Sequence, residues 1–177
     1  NSYIGMSFER WMSQYSHNYV IDTLDMRDPS WQDKDLSLYD VVFHVAGIAH
    51  ADVSKVSDKT KQLYYDVNTN LTIQTAEKYK RDLKGKTGQF IFMSSIIIYG
   101  EETNINKKRI ITLNTEPNPS NFYGDSKLQA EIGISLINDD TFKVAILRPP
   151  MIYGAGSKGN YQQLKKIAKV FPVFPDV

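Results

Sequence analysis

The sequence predicts an α/β protein built on a doubly wound parallel sheet, and three observations carry that prediction. Short apolar runs recur along the chain, at Tyr19–Ile21, Val41–Ala46, Phe90–Met93 and Val144–Leu147. Such near-continuous runs suit strands buried on both faces of a parallel sheet. Longer helical patterns separate them, over Ile4–Met12, from Asp58 to about Leu83, from Tyr123 to about Leu136 and from about Tyr161 to Val170. Strands that alternate with helices imply right-handed βαβ crossovers.

The first helix is read from Ile4, Phe8, Trp11 and Met12, which share one helical face. Asn1-Ser2-Tyr3 before it reads as the end of a turn, with no strand ahead of it. The first strand of a doubly wound sheet is central, and a parallel sheet does not readily tolerate its loss. The chain is therefore expected to be a piece of a longer protein, lacking the first strand and most of a C-terminal lobe. The chain is free of internal repeats and low-complexity segments.

Composition narrows the function classes. With 177 residues, 41% hydrophobic and 23% charged, the chain is that of an ordinary globular domain. Its 21 basic and 20 acidic residues are interspersed, so neither a nucleic-acid stripe nor a charged tail is expected. No apolar run approaches the roughly 18–20 residues of a membrane helix, and Glu9, Arg10 and Trp11 break any leader-like stretch. The absence of cysteine excludes disulfides and thiol catalysis, and three histidines argue against a zinc site. A cytoplasmic protein without a metal is the default expectation.

The strongest chemical signal is Tyr123-Gly124-Asp125-Ser126-Lys127. Residues four apart share a helix face, so the phenol and the ammonium can serve one site. A phenol titrating near pH 10 is a poor base at neutrality, and a nearby cation lowers that value. Tyr123 can then exchange a proton with a hydroxyl or ketone. A second signal lies 28 residues earlier, where the strand Phe90–Met93 ends in Ser94-Ser95. Ligands of open α/β sheets bind outside the carboxyl ends of the strands. A serine there can hydrogen-bond the oxygen that Tyr123 protonates; Ser94 reads as a residue that merely closes the strand.

The order strand, Ser-Ser, Ile98-Tyr99-Gly100, then Tyr-x-x-x-Lys opening a helix resembles the extended short-chain dehydrogenase/reductases, the NAD-dependent epimerase/dehydratases. The resemblance covers essentially the whole chain and implies a Rossmann fold. It places the catalytic trio on Ser95, Tyr123 and Lys127, with Lys127 also bonding a cofactor ribose. Asp40–Gly47 resembles the strand and turn that pass the cofactor, which puts Ala46 and Gly47 beside it. Tyr65–Asn70 resembles the segment carrying the family's helix asparagine, here Asn68 behind the active site. Leu147–Gly154 resembles the strand end beside nicotinamide and sugar, with Pro150 toward the cofactor and Met151 toward the substrate. Gly159-Asn160-Tyr161 resembles the start of the helix holding the nucleotide diphosphate, making Asn160 a substrate ligand. His50 is a further candidate for substrate contact.

Of the glycine-rich dinucleotide fingerprint, Gly5 resembles the last glycine and Ser2 stands at the middle one. Asp25 and Met26 resemble the short segment lining adenine, and Asp25 could instead meet a ribose. Arg27 could accept a 2′-phosphate or pair with Asp28. NAD is the expected cofactor, with NADP as the alternative. Residues 1–156 are then an N-terminally incomplete dinucleotide-binding domain, and 157–177 the start of a substrate lobe.

The resemblance implies a nucleotide-sugar epimerase working by hydride transfer at C4 of a UDP- or dTDP-sugar in polysaccharide biosynthesis. A 4-ketoreductase is the alternative, because Met151 stands where many UDP-sugar 4-epimerases have asparagine. Dehydration ranks third, since Ser95-Ile96-Ile97 lacks the acid pair of dehydratases. A non-catalytic dinucleotide-binding module would be expected to lose the tyrosine or lysine, and both are present. Homodimerisation through the helices 58–83 and 123–136 would follow the family habit.

Overall fold

Three parallel strands form the sheet of the computed structural model, which describes residues 2–49, 56–100, 108–157 and 166–170. The strands are β1 (Val41–His44), β2 (Gly88–Met93) and β3 (Phe142–Leu147), in the order β1-β2-β3. Val42 pairs with Phe90, and Phe90 with Val144, so one register runs across all three. The helices are α1 (Tyr3–Met12), α2 (Asp58–Tyr64), α3 (Leu71–Leu83) and α4 (Phe122–Ser135). Of the last expected helix, residues 166–170 are helical, and its earlier part lies outside the described residues.

Helices α1, α2 and α4 each begin where a short polar side chain caps them. The Ser2 hydroxyl accepts from the Gly5 N–H at 2.9 Å, Ser57 from Thr60 at 3.3 Å, and Asn121 from Gly124 at 2.9 Å. The single helix expected from Asp58 to Leu83 is instead three pieces. Residues Tyr65–Asn70 between α2 and α3 wind as a π-helix, burying Asn68 and Thr69. Single-turn π insertions of this kind frequently occur at functional sites.

The core lies between the sheet and the layer of α3 and α4. Phe90 and Phe92 alternate onto that face, fully buried, against Ala76 and Tyr79 of α3 and Ala130 and Ile134 of α4. Phe43, one residue out of step with His44, turns to the other face and meets Phe8 of α1 edge-on at 4.9 Å. Helices therefore cover both faces, as the apolar runs require.

One expected strand is absent. Tyr19, Val20 and Ile21 have strand-like composition, but Val20 is 90% exposed and the segment has no regular structure. A strand exists through its ladder partner, and among the described residues no strand lies on the outer side of β1 to supply one.

His44 is buried in the core, stacked 5.7 Å from Phe90. Its Nε2 lies 3.2 Å from the Thr72 hydroxyl, which itself donates to the Asn68 carbonyl. The threonine's single proton is thus committed, and Nε2 must be the protonated nitrogen of a neutral ring. Burial, and secondarily Lys127, lowers the His44 pKa to about 3. The unfolded chain binds this proton near pH 6.5, so stability is complete above that value and is lost as pH falls toward 3. By pH 5 the loss should reach about 2 kcal/mol. Urea midpoints at pH 7 and pH 5 test this: the drop should be clear in the parent protein and largely gone in His44→Gln.

Candidate active site

The carboxyl ends of the strands gather most of the residues singled out from sequence. Past β2 the pairing with the β3 side continues, Ser94 N–H donating to Leu147 O at 2.8 Å and Ile96 N–H to Pro149 O at 3.1 Å. Ser95 is held between these two anchors, and its Oγ accepts from the Ile97 N–H at 3.3 Å. Tyr123, in the first turn of α4, lies close enough to the Ser95 side chain for that hydroxyl to act on its titration. Tyr64 packs edge-on beside its ring, 6.0 Å between centroids.

Burial raises the Tyr123 pKa, the Ser95 hydrogen bond lowers it, and Tyr64 raises it further; the net direction is upward. This departs from the expectation that Lys127 would depress it. The lysine is engaged elsewhere: its Nζ donates to the Met93 carbonyl at 3.0 Å and lies 4.8 Å from the Phe92 ring centroid. Tyr123 therefore stands as a phenol, with a proton to give. Lys127 itself is buried and lowered to about 8, desolvation outweighing the attraction of Glu131.

Asn68 is a clasp. Its Oδ1 accepts from the Ile48 N–H at 2.8 Å, and its Nδ2 donates to Ile48 O at 3.1 Å and to Ser126 Oγ at 3.0 Å. The π-segment turns this side chain inward, so it ties the turn after β1 to α4 rather than capping a helix. Gly47 lies in that turn. A Cβ there would sit 3.0 Å from Lys127 Nζ and 3.1 Å from Asn68 Oδ1, so any other residue would require those two side chains to give way by a few tenths of an ångström. Ala46 adjoins it, half-buried.

At Gly5 a Cβ would meet Val45 at 3.4 Å, which sets the N-terminus of α1 against the end of β1, next to Ala46 and Gly47. Tyr3, which the sequence reading did not single out, brings its hydroxyl against Gly154 beyond β3. Pro150 and Met151 follow β3 on the surface, Met151 43% exposed. Asp25 and Met26 sit in the turn at 22–28, where Arg27 pairs with Asp25 and not with Asp28: Nη2 to Oδ2 is 2.6 Å and Nε to Oδ1 3.0 Å. Asp28 instead caps a short turn through the Ser30 N–H. Asn160 and His50 lie outside the described residues.

Sequence reasoning also missed a charge network around buried Glu131, beside the trio. Glu131 accepts the Ser94 hydroxyl at 2.5 Å and two-pronged donation from Arg148, Nη2 to Oε2 at 2.6 Å and Nε to Oε1 at 3.1 Å. Arg148 also donates from Nη1 to Tyr99 Oη at 2.6 Å. The one available clue was Lys127-x-x-x-Glu131, opposite charges one turn apart on the helix that carries Tyr123.

Comparison with known proteins bears on this geometry. The profile of the NAD dependent epimerase/dehydratase family matches residues 9–173. A UDP-glucose 4-epimerase of Vibrio cholerae is 35% identical over 130 residues, covering 72% of this chain and 37% of the relative. An N-acetyl-alpha-D-glucosaminyl-diphospho-ditrans,octacis-undecaprenol 4-epimerase of Escherichia coli O157:H7 is 34% identical over 164 residues, covering 88% of this chain and 45% of the relative. The chain thus spans under half the length of these two relatives. Among solved structures, the UDP-glucuronic acid 4-epimerase of Bacillus cereus in complex with NAD superposes with TM-score 0.54 at 29% identity, covering 69% of this chain and 37% of that one.

Proposed function

Because this chain belongs to the NAD dependent epimerase/dehydratase family, we propose that its protein is a nucleotide-sugar epimerase acting at C4 of a UDP- or dTDP-sugar. The observation that carries this reading is the convergence of Ser95, after β2, and Tyr123, in the first turn of α4 and one helical turn from buried Lys127, at the carboxyl edge of a parallel sheet. Both curated relatives described above are 4-epimerases, which supports the choice of reaction.

Residues present here suit a nicotinamide dinucleotide, NAD in the first instance and NADP as the alternative. Gly47 leaves backbone open beside Lys127 and Asn68, where a side chain would crowd both. The N-terminus of α1, with Gly5 packed on β1, offers the free N–H groups and dipole that favour a pyrophosphate. Asp25 and Met26 would lie toward the adenosine and Pro150 toward the nicotinamide. The exposed Asp25–Arg27 pair offers a carboxylate to ribose hydroxyls or a guanidinium to a 2′-phosphate. When bound, the nicotinamide would supply the hydride acceptor and donor.

The chain's own part is proton handling. Tyr123 Oη gives a proton to, or takes one from, the sugar oxygen at C4. Ser95 bonds the same oxygen and keeps the phenol aimed. Lys127 supplies fixed positive charge to the site, and Asn68 holds Gly47 and α4 in register. Met151, with Asn160, would face the substrate. In this reading residues 1–156 bind the dinucleotide and 157–177 begin the substrate lobe. No metal or nucleic acid takes part, and the product serves polysaccharide biosynthesis in the cytoplasm. Among the described residues no helix is long and apolar enough to cross a membrane. Exposed Leu63, Ile132 and Leu136 on α2 and at the end of α4 support a homodimer through that face.

The exposed Met151 favours a second reading, a 4-ketoreductase, because a thioether cannot make the hydrogen bonds of an amide to a sugar. One experiment separates the two. The full-length protein is purified, denatured, and its released dinucleotide quantified; it is also incubated with UDP-glucose and UDP-N-acetylglucosamine. Near-stoichiometric NAD with appearance of the C4 epimer is the expected result. An empty protein that oxidises NADH or NADPH with a 4-keto sugar nucleotide would replace the epimerase by the reductase. Bound dinucleotide with neither activity would make it a non-catalytic dinucleotide-binding module.

A further inference from the structure

Ser95 can act with Tyr123 only while the turn that carries it stays seated on α4. Residues 94–99 leave β2 and cross to the first turn of that helix. There the Ile97 carbonyl lies so near Gly124 that a Cβ would sit 2.9 Å from its oxygen. The backbone bonds of Ser94 and Ile96 go to Leu147 and Pro149, so they tie the turn to β3 and leave its distance from α4 open. Lys127 of α4 reaches the Met93 carbonyl, one residue before the turn begins.

Arg148 stands between Leu147 and Pro149 and commits its whole guanidinium to the remaining gap. One edge forks onto Glu131 of α4, Nη2 to Oε2 at 2.6 Å and Nε to Oε1 at 3.1 Å. The same carboxylate accepts the Ser94 hydroxyl at 2.5 Å, at the start of the turn. The remaining nitrogen, Nη1, donates to Tyr99 Oη at 2.6 Å, at the end of the turn, and the cation lies 5.4 Å from that ring's centroid. Ser94, Tyr99 and Glu131 are all buried. A pair serving only to fasten α4 to β3 would need one edge of the guanidinium, and a lysine would serve it nearly as well. Here the second edge is also taken, and both lines of contact end on the turn that holds Ser95. A planar fork reaching two acceptors in fixed directions is what arginine has and lysine lacks.

We infer that Arg148 is a positioning residue: by holding Tyr99 directly and Ser94 through Glu131, it fixes the 94–99 turn, and with it Ser95, against Tyr123 on α4. The inference rests on the roles given above to Ser95 and Tyr123. A looser turn should leave dinucleotide and sugar binding much as they are and slow the chemical step, because proton transfer is sensitive to sub-ångström placement.

The test is Arg148→Lys in the full-length protein, made alone and together with Ser95→Ala. Lysine keeps the charge beside Glu131, so the melting temperature should stay near the parent's. With the better of UDP-glucose and UDP-N-acetylglucosamine, kcat should nevertheless fall by about tenfold while KM stays within about twofold. In the Ser95→Ala background the same change should lower kcat by less than about twofold, since an effect exerted through one serine cannot be lost twice. A resonance read without turnover follows the same cycle. With tyrosine labelled with 13C at Cζ, the Tyr123 signal is assigned by its disappearance in Tyr123→Phe. It should move in Arg148→Lys toward its Ser95→Ala position, and no further in the double variant. Equal losses of kcat in both backgrounds, or an unmoved Tyr123 signal, would reduce Arg148 to a fastening and overturn the inference. Should Arg148→Lys not fold, Tyr99→Phe opens the far end of the turn, leaves the Glu131 pair intact, and is judged by the same cycle. A Tyr123 signal that obeys the cycle in a protein inactive on both sugar nucleotides would sink the proposed reaction while leaving the positioning intact.

Discussion

Replacing Tyr123 by Phe should lower the turnover of the full-length protein by about 10²–10⁴-fold, the usual worth of a positioned acid or base. The substitution removes one oxygen and no ring volume, so the packing against Tyr64 persists. What disappears is the hydroxyl beside Ser95, the proton-bearing group of the first turn of α4 on which that serine acts. Affinity for the dinucleotide should hardly change, because Gly47 and the α1 N-terminus are untouched. Turnover numbers measured beside dinucleotide affinity check this. A loss below tenfold would remove Tyr123 from the chemistry, and a parallel collapse in cofactor affinity would make it a binding group instead.

A second large effect is expected on stability. Phe90→Ala should cost about 3–5 kcal/mol, the range for emptying a buried phenylalanine site. Phe90 has no exposed surface and is stacked near both His44 and Phe142, 5.7 and 6.4 Å between centroids. As the residue paired across to both Val42 and Val144, it sits at the middle of the sheet and cannot be replaced by a small shift of a neighbour. Stability of typical proteins is about 5–15 kcal/mol, so the variant should be marginal or unfolded at 37 °C. Urea unfolding measures the loss; a change below about 1 kcal/mol would place the core elsewhere.

The sheet was legible because strands buried on two faces leave nearly unbroken apolar runs, as Phe90–Met93 and Val144–Leu147 do. Tyr19–Ile21 has the same signature without the structure, since composition records a residue's suitability for a strand and says nothing of its partner. The proposed Ser95, Tyr123, Lys127 trio was readable from the order strand, Ser-Ser and Tyr-x-x-x-Lys, 28 residues and then four, together with the family resemblance that this order carries. The Glu131 network was not: its members Ser94, Tyr99 and Arg148 lie 37, 32 and 17 residues from Glu131, and nothing local marks them as a set. The direction of the Tyr123 shift was also hidden. It depends on where the ammonium points, and the Met93 carbonyl that turns it away is a backbone atom that no motif encodes.

The double duty of α4 constrains how such a protein can be diversified. Lys127 and Glu131 share its inner surface with Ser126, Ala130 and Ile134, all buried. A mutational library aimed at that helix would therefore sample mostly collapsed variants, whatever new specificity it sought. The stretch from Met151 to Tyr153 is different: its side chains are 43, 36 and 69% exposed, just past the strand end that Arg148 anchors. Randomisation there leaves the chemical apparatus and the core untouched, so altered sugar preference should be selectable from these three codons first.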